Sequence, residues 1–76
     1  MSEQPSSLRS GTQSIERGWM QVRLIANQGQ RGMRICDLTL ASGLSATTVF
    51  RIVQGLMREG VIERDGRTHK LYLGRL

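Results

Sequence analysis

The stretch from Ile35 to Gly60, ICDLTLASGLSATTVFRIVQGLMREG, constrains the fold most tightly. Two helical apolar patterns lie on either side of Gly43, with room between them only for a tight turn. The first predicts a short helix over Cys36 to Ser42, with Leu38 and Ala41 toward the core. Cys36 stands where a capping Ser or Thr would be expected, so this start is weakly capped. Gly43 tolerates the left-handed backbone that ends a helix, Leu44 can turn inward, and Ser45 can cap the second helix of the pair. That helix is expected from about Ala46 to Glu59, closed by Gly60. Directly after it comes VIERDGRTHKLYLG, whose Asp65-Gly66 pair is a hairpin turn signal between alternating segments. Two helices on a tight turn, then a basic hairpin, is the layout of a winged helix-turn-helix, an arrangement that sets one helix in a DNA groove.

Residues of the helix 46–59 fall about 100° apart around its axis. Val49, Ile52, Val53 and Leu56 gather on one side and are expected in the core. Thr47, Arg51, Gln54 and Arg58 gather on the other, with Thr48 and Phe50 on the flanks. That outer face offers hydroxyl, guanidinium and carboxamide groups, which suit phosphates and base edges. The start of such a helix reaches deepest, so Thr47, Thr48, Phe50 and Arg51 are the candidates for base contact, with Ser45 and Ala46 also among the DNA-binding candidates. Gln54 would meet a base or a phosphate, and Arg58 the backbone. Phe50 either touches a thymine methyl group or packs on the second helix or the hairpin. Gly55 costs about 1 kcal/mol against Ala inside a helix, which close approach of the first helix would explain. The hairpin, expected over about 61–73, carries Arg64, Arg67, His69 and Lys70, placed to grip phosphates or enter the minor groove.

Upstream, Ser14 to about Ala26 reads as the first helix, with Ser14 as its cap and Glu16 near the positive end of the dipole. Ile15, Trp19, Val22 and Ala26 form one apolar stripe, Trp19 as a core anchor. Met20 and Leu24 lie nearly opposite. Either a helix and the hairpin sandwich this first helix, or Met20 and Leu24 meet a second subunit or another part of the same protein. The segment NQGQRG stops the helix, and Met33 to Ile35 is a candidate short strand. Residues 1–13 are polar and aperiodic, and are expected to form a disordered tail. Arg9 is the only cation there, thin support for a minor-groove arm. The expected organisation is this tail, then one winged helix-turn-helix domain over 14–76, with the helix-turn-helix at about 35–59. The fold class is mainly α with a small β-hairpin, three helices plus the wing.

Charge supports the same reading. Eleven Lys/Arg face six Asp/Glu, giving +5 at pH 7, and ten of the eleven are Arg. Arg carries a planar fork of donors matched to phosphate and guanine. The basic residues are scattered over several elements and there is no long apolar run, so neither a membrane-surface helix nor a transmembrane span is expected. There is no signal-peptide pattern, and the single Cys has no internal partner, so a cytoplasmic protein is expected. Cys36 reads as a small half-buried residue rather than a reactive thiol. One Cys and one His cannot assemble a zinc site. No phosphate-binding loop, dinucleotide fingerprint or metalloprotease motif occurs, and the acids are dispersed. An enzyme is therefore not expected, nor any cofactor.

The order SIERGWMQVRLIA, then RICDLTLASGLSATTVFRIVQGLMREGVIERDG, resembles the N-terminal DNA-binding domain of the IclR family of bacterial transcription regulators. The likeness rests on Ser14-Ile15-Glu16-Arg17, on Leu38 ahead of Ala41-Ser42-Gly43-Leu44, on Thr48 to Val53, and on Gly60 to Asp65. Tyr72-Leu73-Gly74 fits where such domains hand over to a linker. Trp19 and Gln21 replace aliphatic residues usual there, Cys36 a hydroxyl cap, Ala46 a frequent proline, and Phe50 a common His or Tyr. The resemblance implies double-stranded DNA as partner and a homodimer in the intact protein. Members of the family usually carry a C-terminal ligand-sensing domain, so the resemblance implies either an excised DNA-binding domain or a protein that has lost its sensor, with excision the expectation. An alternative function is a winged helix for protein–protein association.

Overall fold

A computed structural model describes the backbone over residues 5–75 and the side chains over 13–75. Three helices are followed by one antiparallel hairpin: α1 Pro5–Gln28, α2 Ile35–Ser42, α3 Ala46–Arg58, β1 Ile62–Arg64 and β2 Leu71–Leu73. The mainly α winged helix-turn-helix expected from the sequence is the fold the chain forms.

α1 starts at Pro5 rather than at Ser14, so the stretch 1–13, expected to be a disordered tail, is helical backbone from Pro5 onward. Proline suits a first helical turn, where its missing N–H leaves no bond unmade, and no later proline interrupts the run. Ser14 therefore lies within the helix and does not cap it. The Arg9 side chain lies outside the described residues. A 3-10 turn over Gly29–Arg31 ends α1, and Gly32 comes next at φ 68° and ψ 178°, backbone angles open essentially to glycine alone. Of the strand expected at Met33 to Ile35, only Met33 pairs. It exchanges two hydrogen bonds with Leu71, at 3.1 and 2.7 Å, and so ties the exit of α1 to the far edge of the hairpin.

α2 begins at Ile35, and its cap is not at Cys36. The Asp37 carboxylate accepts from the Arg34 N–H at 3.0 Å, the acidic half of a capping box reaching back over the first turn. Cys36 is exposed rather than half-buried, and Ala41 also faces outward while Leu38 is fully buried. Gly43, at φ 76°, donates to the Thr39 carbonyl at 3.0 Å and ends the helix in the left-handed region.

The core takes Val22 and Ile25 from α1, Met33, Leu38 from α2, Val49 and Val53 from α3, and Ile62 and Leu71 from the hairpin. One buried position is polar. Gln21 is 0% exposed, and neither its amide nitrogen nor its amide oxygen has a partner among the described residues. Gln21, Ile25 and Val22 are the buried positions of α1 and follow one another in that order around about 100° of its circumference, so that face is turned by roughly 90° from the stripe the sequence suggests. Trp19 is consequently no core anchor: it is 54% exposed, Ile15 is 61% exposed, and Ala26 is exposed too. Ile15, Gly18, Trp19 and Val22 instead form one side of an open apolar groove of about 280 Å³, closed on the other by Leu56 and Val61. On the opposite flank Met20 is exposed, and Leu24 is half-buried against the core.

Candidate nucleic-acid interface

The site is built on α3, whose ends are both fixed by local chemistry. At its start the Ser45 hydroxyl accepts from the Thr48 N–H at 3.2 Å and donates to the Thr48 hydroxyl at 2.9 Å. At its end the helix stops at Arg58, with Glu59 as the capping residue, one residue before the expected end. Gly60, at φ 79°, donates to the Met57 carbonyl at 3.1 Å, and Val61 donates to the Leu56 carbonyl at 2.9 Å. These two bonds make a Schellman motif, with Leu56 and Val61 as its hydrophobic pair.

Between those caps the inward line is Val49 and Val53, both fully buried, with Ile52 and Leu56 half-buried beside them. The outward line is Thr47, Arg51 and Arg58, all exposed. Gln54 is half-buried, so its amide sits at the edge of the ridge. Ala46 is exposed at the first turn. Phe50 is 48% exposed, which leaves much of its ring free. Ser45 is exposed, but its hydroxyl is engaged in the cap. Gly55 has no atom close to where a Cβ would stand; α1 does not crowd it, and nothing in the fold requires glycine there.

The hairpin pairs Ile62 with Leu73, Glu63 with Tyr72 and Arg64 with Leu71. Ile62 and Leu71 are buried and hold it on the core, while Leu73 is half exposed. The tip is not the two-residue turn that Asp65-Gly66 suggests. Asp65 organises a longer loop: its carboxylate accepts from the N–H of Arg67 at 2.7 Å and of Thr68 at 3.4 Å. Its carbonyl accepts from His69 at 2.8 Å, and its own N–H donates to the Lys70 carbonyl at 2.9 Å. The left-handed residue is His69, at φ 64°, not Gly66. Arg64, Arg67 and His69 are exposed and Lys70 is half-buried, so the ribbon presents its cations to solvent.

One grouping escaped the sequence reading. Ser14 and Arg17 of α1 face Thr48, Arg51 and Ile52 of α3 across an open cleft of about 270 Å³. Helical spacing places Arg17 on a polar flank of α1 but does not say which element it faces.

The family model of the IclR helix-turn-helix domain matches residues 14–66. The chain belongs to the IclR helix-turn-helix family. The match covers most of the described part of α1, all of α2 and α3, β1 and the start of the hairpin loop. This IclR-family chain is thus a DNA-binding domain of the transcription-regulator type. No curated protein and no solved structure matches the chain. None of the described helices is long and apolar enough to cross a membrane.

Proposed function

We propose that this domain reads a specific double-stranded DNA sequence for a bacterial transcription regulator, with α3 in the major groove and the hairpin on phosphates or in the minor groove. The observation that carries the reading is the outward line of α3. Thr47, Arg51 and Arg58 stand exposed on one side of a helix whose other side is locked into the core. In this reading Thr47, Phe50 and Arg51 meet base edges, with Ala46 close by and Gln54 at the margin. Ser45 and Thr48 set the depth of the helix start, and Arg58, Arg64, Arg67, His69 and Lys70 hold phosphates. The domain acts without catalysis or cofactor. Two copies bind together in the intact regulator, and the exposed apolar side chains of α1, Ile15, Trp19 and Met20, are available to the partner.

Selection of bound duplexes from a random DNA pool tests this. The expected result is one enriched motif repeated with two-fold symmetry. A pool that stays random after several rounds would leave only nonspecific binding. A second reading, association with another protein, draws on the open groove lined by Ile15, Trp19, Val22, Leu56 and Val61. It predicts binding that hardly responds to salt, whereas duplex binding weakens steeply as salt rises.

A further inference from the structure

The cleft between α1 and α3 adds a contact that the outward face of α3 does not contain. Two guanidinium side chains, Arg17 and Arg51, line one opening with the hydroxyl residues Ser14 and Thr48 and the aliphatic wall of Ile52; no acidic residue lines it among the described residues. Both arginines are exposed. Two like charges on one cleft repel each other until an anion sits between them. Thr48 sharpens the chemistry. Its oxygen accepts from the Ser45 hydroxyl at 2.9 Å, so its own proton is free to be donated elsewhere, and a hydroxyl that accepts one bond donates a stronger one.

With α3 in the major groove, the cleft would lie along the path of a phosphate backbone. Arg51 belongs both to the outward line of α3 and to the cleft, while Thr48 and Ile52 sit on the α1 flank of the same helix. A helix filling the major groove has a phosphate backbone along each flank. We infer that Arg17, with Ser14 and Thr48, clamps a backbone phosphate on the α1 side of α3, and that this phosphate fixes the guanidinium of Arg51 at the groove edge. This inference rests on the DNA-binding reading and names the phosphate partner of a residue outside the helix-turn-helix. The clamp supplies affinity and register but no base preference.

The test compares the full chain with Arg17→Ala and Arg17→Lys on the selected duplex, across a salt series. A set of duplexes carrying one uncharged methylphosphonate at successive positions is measured in parallel. Arg17→Ala is expected to weaken binding roughly tenfold on every sequence and to lower the salt slope by about one unit. Arg17→Lys is expected to restore the slope without the full affinity, since ammonium keeps the charge but not the fork. One methylphosphonate position should weaken the wild type and leave Arg17→Ala unaffected. Equal affinity and slope for wild type and Arg17→Ala would overturn the clamp while the DNA reading stands. Titration with inorganic phosphate separates the remaining source: binding lost in Arg17→Ala, with duplex affinity unchanged, would make the cleft a free-anion site and overturn the backbone assignment. A wild type that binds no duplex would overturn the DNA reading itself, and the clamp with it.

Discussion

Gln21 is carried onto the inward face of α1 beside Val22 and Ile25, and at a cost. It is fully buried with both ends of its amide unpaired among the described residues, and an unmet buried polar group costs about 1–3 kcal/mol. Gln21→Leu keeps the approximate volume and removes the penalty, so it is expected to raise unfolding stability by about 1–3 kcal/mol in urea titrations. A loss of stability would show that the amide is held by a contact that leucine cannot replace. Arg51 is the residue on which sequence discrimination is expected to depend most. If its guanidinium forks onto guanine, Arg51→Ala costs roughly 1–3 kcal/mol and relaxes base choice at one position. A uniform loss over all sequences, measured by titrating a panel of single-base variants, would confine Arg51 to the phosphate clamp.

Among the elements, α2 and α3 were legible in the sequence because their ends carry their own chemistry. Gly43 and Gly60 occupy left-handed backbone and Ser45 caps α3. α1 was legible as a helix but not in its rotation. Apolar periodicity points to Ile15, Trp19 and Ala26, whereas the buried line runs through a polar residue that such a pattern discounts. The hairpin was legible as a hairpin, but its loop was not, because the Asp65 side chain and a left-handed His69 shape it rather than an Asp-Gly backbone turn. The α1–α3 cleft was invisible for the same reason as the rotation of α1. Docking of the hairpin depends on Gly32. A Cβ there would stand 2.6 Å from the Tyr72 ring and 3.0 Å from the Leu71 carbonyl oxygen, at a positive φ. Gly32→Ala is expected to cost about 1–3 kcal/mol by strain alone, read as a lower thermal midpoint; an unchanged midpoint would mean the hairpin shifts freely. At the tip, Arg67→Ala is expected to weaken duplex binding broadly and reduce the salt slope by about one unit. An unchanged slope would remove the hairpin tip from the interface.

At the scale of the whole molecule, a small core supports a large positive surface. A domain of this size holds only a few kcal/mol of net stability, so each binding variant is compared at equal folded fraction. Ten of the eleven cationic side chains are arginine, and Arg17 of α1, Arg51 and Arg58 of α3, and Arg64 and Arg67 of the hairpin are all exposed. Binding that depends on this distribution releases counterions from DNA in proportion to the phosphates engaged. Engagement of duplex DNA by α3 and its neighbouring arginines is read from the salt dependence of affinity for the selected duplex. The logarithm of the association constant is expected to fall linearly with the logarithm of salt, with a slope of roughly −4 or steeper, as four or more phosphate contacts require. A flat response, or no association even in dilute buffer, would contradict that engagement.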